Sequence, residues 1–114
     1  MQKEYEYIEE YCEKKGGEIA RILSETYDSA DFEIDSRKIE NEIYDISLSY
    51  AKVFFFEERS FLSKENRDQA KSAIRSRFDV KVKKVENMND IELVANLLKL
   101  DVLNALDEHN VTLI

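Results

Sequence analysis

Between Asp35 and Leu62 the sequence DSRKIENEIYDISLSYAKVFFFEERSFL carries two apolar series at helical spacing. Ile39, Ile43, Ile46, Tyr50 and Val53 recur at steps of four and three residues, and Tyr44, Leu48, Ala51, Phe55 and Leu62 repeat that rhythm on another side. A helix with one apolar stripe can lie on a core, whereas a helix with two must be covered from both sides. The spacing therefore predicts a central helix, with the rest of the chain wrapped around it. The run IYDISLSY also alternates like a strand, but the three-four spacing extends over many more residues, and helix is the expectation.

A chain of 114 residues has the length of one domain and buries about two-thirds of its unfolded surface on folding, so a single helical domain over residues 1–114 is expected. It contains no proline, and its two glycines, Gly16 and Gly17, are adjacent. Sharp turn chemistry is therefore almost absent, and Asp/Ser/Asn-rich stretches such as Asp28–Ser36 must link the helices. The fold class is all-α: a small helical bundle of about four helices. A minor two-stranded element near the C-terminus is the one addition, with Val80 and Val82 alternating with lysines and the tail NVTLI able to pair beside them.

The first helix is expected from Lys3 to Tyr27, with a break or kink at the glycine pair in preference to a close approach by another backbone. Ser63 is placed to cap a third helix from Lys64 to Arg77. Asn89, with Glu92 three residues later, forms a capping box for a fourth, from Asp90 to Glu108. This last helix is apolar over well over half its circumference, more than one neighbour covers. Self-association through Leu93, Leu97, Leu100 and Leu103, giving a homodimer, is the consequent expectation. Asp101, on the apolar arc, reads as a paired rim residue.

The net charge is −8, unevenly distributed. Lys64, Arg67, Lys71, Arg75, Arg77, Lys81, Lys83 and Lys84 face only three acids within residues 64–84, so a strongly acidic body carries one basic segment. Non-specific nucleic-acid binding by the whole surface is thereby disfavoured, while a local contact to phosphates or to an acidic protein surface is allowed. Phe78 is the single aromatic residue among these cations, so stacking of successive bases lacks support. The competing account is a solvated helix face paired with the chain's own carboxylates.

Cys12 is the single cysteine and His109 the single histidine, which excludes an intrachain disulfide and a zinc site of several Cys or His ligands. Cys12 lies on the apolar side of the first helix and reads as a small core residue, and His109 reads as a helix C-terminal group. A cytoplasmic location fits a lone free thiol. The longest unbroken apolar run, Val53 to Phe56, is far short of the ~20 residues of a membrane span, so no membrane contact is expected.

Carboxylate pairs are the one arrangement with catalytic chemistry. Glu42 and Asp45 lie three residues apart on a polar arc with Asn41, Ser49 and Lys52, and two carboxylates on one helical face can hold Mg²⁺ if another helix adds oxygens. Glu42-Ile43-Tyr44-Asp45, together with Gly17-Glu18-Ile19-Ala20, resembles the paired Glu-x-x-Asp and Glu-x-x-Glu motifs of the MazG-like all-α nucleotide pyrophosphohydrolases, over residues 17–56. The resemblance implies Glu18, Glu42 and Asp45 as magnesium ligands. It departs at Arg21, which stands where the first motif's second glutamate belongs.

Three functions follow in order of expectation. The first is a non-enzymatic protein–protein interaction or regulatory protein, such as an adaptor, inhibitor or immunity-like factor, whose acidic body matches a basic partner. It uses no catalytic residue, metal or cofactor. The alternatives are a divergent MazG-like hydrolase using Mg²⁺ and a nucleic-acid-binding accessory protein acting through residues 64–84.

Overall fold

The computed structural model describes residues 2–27, 36–58, 62–77 and 85–108. They form four helices: α1 (Gln2–Tyr27), α2 (Ser36–Glu58), α3 (Lys64–Arg77) and α4 (Asp90–Glu108). The all-α expectation holds, with no strand among the described residues. Residues 28–35, 80–84, His109 and the tail 111–114 lie outside those described, and with them the linker, the strand pairing and the histidine. Val85 and Glu86 are helical. No helix among the described residues is long and apolar enough to cross a membrane.

The local signals at the helix starts are realised as hydrogen bonds. The Asn66 N–H donates to Ser63 Oγ at 3.2 Å, which caps α3. At α4 the exchange is reciprocal: the Glu92 N–H donates to Asn89 Oδ1 at 2.9 Å, and the Asn89 N–H donates to Glu92 Oε1 at 3.3 Å. Two backbone donors that the first helical turn would leave open are thus satisfied by one four-residue motif.

The centre of the fold is α4 and not α2. α1, α2 and α3 all pack against α4, while the backbones of α1 and α2 stand apart and these two helices meet through side chains. Leu93, Val94, Ala95, Leu98, Val102 and Leu106 are fully buried, and Leu97 and Leu100 nearly so. A helix that is apolar almost all round has to be enclosed, and here three neighbours from the same chain enclose it.

α2 buries one face, not two. Ile39, Ile43, Ser47, Ala51 and Phe54 are its buried positions, successive turns of a single line. Of the two series read from the sequence, Ile39, Ile43 and Ala51 lie on that line and others flank it: Ile46 and Tyr50 on one side and Tyr44, Leu48 and Phe55 on the other are half-buried, while Val53 is exposed. Ser47, on the midline, has its hydroxyl fully buried with no hydrogen-bond partner among the described residues. An unsatisfied buried hydroxyl costs about 1–3 kcal/mol, and alanine is the better helix former. Ser47→Ala is therefore expected to raise the denaturation midpoint in urea at unchanged slope. A lowered midpoint would contradict the unsatisfied hydroxyl.

α1 is unbroken through Gly16 and Gly17, contrary to the expected break. The reason lies across the interface. A Cβ on Gly16 would stand 2.8 Å from the Cβ of Asp101 and 3.1 Å from the Asp101 carbonyl carbon and the Val102 nitrogen. Gly16 lets the backbones of α1 and α4 close together, whereas a Cβ on Gly17 would meet nothing within 4 Å. α3 is attached more lightly: of its described side chains only Asn66, Ala70 and Ile74 are buried.

Candidate functional site

The three carboxylates of the hydrolase resemblance do not converge. Glu18 is on α1, paired with Lys15 one turn earlier at 3.4 Å. Glu42 and Asp45 lie on the exposed side of α2, facing water rather than a covering helix. Arg21 is exposed and pairs with Glu25 at 3.5 Å. Among the described residues no group of three or more His, Cys, Asp or Glu side chains is placed to hold a metal ion. The polar arc of α2 is thus a solvated surface, which removes the burial that would force its acids to take a cation.

The basic stripe of α3 is largely engaged within the chain. Arg67 lies 3.8 Å from Asp90, the first residue of α4, and Lys71 lies 3.5 Å from Glu86. Arg75 pairs with the same Glu86. Asp90 also accepts the Leu62 N–H at 3.1 Å, so one carboxylate ties the approach to α3 and its second turn to the start of α4. Lys64 is exposed; Lys81, Lys83, Lys84 and the side chain of Arg77 lie outside the described residues. The stripe therefore reads first as a set of intrachain contacts.

The leucines assigned to self-association sit inside this fold. Leu93 is fully buried, Leu97 and Leu100 are each 6% exposed, and Leu103 is half-buried against the core. The apolar surface of α4 faces α1, α2 and α3 of the same chain.

The exposed apolar surface lies elsewhere, around the last two turns of α2. Phe54 is buried, with Tyr11 at a ring-centroid distance of 4.8 Å, Phe55 edge-on at 5.2 Å and Tyr7 at 6.2 Å. The Tyr11 hydroxyl donates to the Tyr50 carbonyl at 3.2 Å, which fixes the α1–α2 seam where the backbones stand apart. Tyr7 (49%), beside this cluster, is exposed, as are Val53 (50%) on the flank of α2, Phe56 (78%) on its polar arc and Ile22 (52%) further along α1, with the exposed carboxylates Glu6, Glu10 and Glu57 nearby in sequence. Sequence periodicity missed this patch by assigning Val53 to a buried stripe. The signal that could have found it was Phe56 interrupting the polar arc.

A groove of about 510 Å³ runs between α1 and α3, lined by Tyr5, Glu6, Glu9, Gln69, Ser72, Ala73 and Ser76. Tyr5, Glu9 and Ala73 also border a smaller chamber of about 80 Å³ that reaches Cys12, Leu97 and Asp101. Cys12 is buried as expected, and burial, reinforced by Asp101 and Glu9, pushes its thiol far above the ordinary 9.0. Burial likewise pushes the Tyr11 hydroxyl from 10.0 up to about 12, with Cys12 and Glu57 adding. Both groups hold their protons in the folded chain at pH values where the unfolded chain has released them. The folded state then binds more protons, and stability falls as pH rises from about 9 towards 12. Urea midpoints should drop between pH 8 and pH 11, less steeply in Tyr11→Phe; equal midpoints at the two pH values would refute the shifts.

Comparison of the chain with protein-family models, with curated proteins and with solved structures finds no match, so the functional assignment rests on the surfaces described above.

Proposed function

We propose that this chain is a non-enzymatic protein-interaction or regulatory module that docks a basic protein partner on the α1–α2 face. The supporting observation is the exposure of Tyr7 beside the Phe54 aromatic cluster, and of Val53 and Phe56 on the outer surface of α2, on a chain of net charge −8. Large rings held at the surface beside a well-packed core have the character of interface anchors, since aromatic residues dominate the energetics of protein contacts. A surrounding acidic surface speeds encounter with a positively charged partner and repels a second copy of this chain. The partner is therefore a heterologous protein with an apolar centre and a basic rim. A cytoplasmic setting agrees with a lone free thiol kept buried.

The test combines oligomeric state and capture. In sedimentation the chain alone is expected as a monomer. Immobilised on a column, it should retain a basic protein from its host, and the complex should weaken with salt. Hydrogen exchange of the complex should slow in the last two turns of α2. A Tyr7→Ser/Val53→Ser/Phe56→Ser variant with an unchanged circular-dichroism spectrum should lose the partner. Retention by that folded variant, or a homodimer protected over the same turns, would overturn the proposal.

A further inference from the structure

α3 differs from the other helices in how it is held. One isoleucine and one alanine, Ile74 and Ala70, supply its fully buried apolar side chains, whereas α4 buries residues on every side. Ala73 is partly buried against the core, and the ion pairs seen among the described residues lie on one edge: Arg67 to Asp90, and Lys71 and Arg75 to Glu86. Its opposite edge borders the α1–α3 groove through Gln69, Ser72, Ala73 and Ser76. Ala73 is common to the groove and to the inner chamber at whose end Cys12 lies, so α3 forms the wall that keeps these two spaces narrow.

We infer that α3 is a lid, latched to Glu86 and Asp90 by its own basic stripe, over a cleft that runs from the α1–α3 groove to Cys12. Elements with few buried apolar contacts open at lower free energy than the whole domain, and partly exposed ion pairs weaken with added salt. Lifting α3 removes Ala73 from the chamber and joins it to the groove, while α1, α2 and α4 keep their mutual core. The cations that sequence alone offered to an external phosphate act here as a catch. Ionic strength, or an anionic group competing for them, sets the open fraction.

Cys12 is the only cysteine of the chain and reports on the lid directly. The folded protein is treated with a chromogenic disulfide reagent at 20 mM and 500 mM NaCl, and global unfolding is measured in urea under the same conditions. Cys12 is expected to react faster than global unfolding permits, with a shallower urea dependence than the global slope. Glu86→Gln, which removes two exposed pairs at once, should speed the reaction about fivefold at low salt. It should also abolish most of the salt effect, and Lys71→Gln should do part of the same. A rate that equals the global unfolding limit with the full urea dependence would overturn the lid. So would a rate indifferent to salt and to both variants.

Discussion

Gly16→Val is expected to lower the melting temperature by about 15 °C or more, while Gly17→Ala, one residue away, raises it by up to about 5 °C. The two glycines are equivalent in sequence and opposite in surroundings. At Gly16 the nearest atoms to an added Cβ are the Asp101 Cβ at 2.8 Å and α4 backbone atoms at 3.1 Å, none of which can swing aside as the end of a long side chain would. α1 and α4 must then separate, and because α4 is the common partner of every other helix the displacement spreads into the core. Overpacking of this kind costs about 1–3 kcal/mol, more for a branched side chain against backbone. Gly17 has open space around it, so alanine there gains the roughly 1 kcal/mol of helix propensity without a clash. Thermal melts of the two variants decide the matter: equal losses would mean that both glycines serve a kink, and equal gains would mean that the close approach of α1 and α4 is wrong.

Leu98→Ala should cost about 4 kcal/mol, a large part of the 5–15 kcal/mol that holds a domain together. Leu98 is fully buried on the helix against which all the others pack, and the cavity left by its truncation is walled by several elements that cannot collapse together. Phe56→Ala removes a larger side chain from α2, yet at 78% exposure its effect should stay within about 0.5 kcal/mol. Urea unfolding of the pair tests which helix organises the fold. A large loss at Phe56 with a small one at Leu98 would restore α2 to the centre.

These contrasts mark how far the residues alone carry. The bounds of α3 and α4 and their caps were legible because a Ser, an Asn and a Glu act over three residues and need nothing distant. The candidate sites were less so. Glu42 and Asp45 share an arc by spacing, but whether anything covers that arc depends on α4, whose own excess of leucine draws three neighbours to itself and leaves the arc to water. The basic stripe of α3 was visible as charge, but its engagement with Glu86 and Asp90 required knowing which carboxylates arrive beside it. The exposed rings at the end of α2 were hidden by periodicity, which reports that a residue is apolar and recurrent, not that a neighbour exists to bury it.

By itself the sequence determined an all-α chain of four helices, acidic in net charge, with two helix starts fixed by local capping and a single thiol placed in the core. Each of these follows from short-range periodicity, composition or hydrogen bonding within one turn. Only the tertiary structure decided that α4 is the centre, that Gly16 is a point of contact rather than a break, that the basic stripe faces the chain's own acids, and that Tyr7, Val53 and Phe56 stay at the surface. The physical reason is common to all four. A helix fixes the direction of its side chains through its own hydrogen bonds, but what meets them depends on which surfaces compete for burial, and that competition was decided by the most apolar helix.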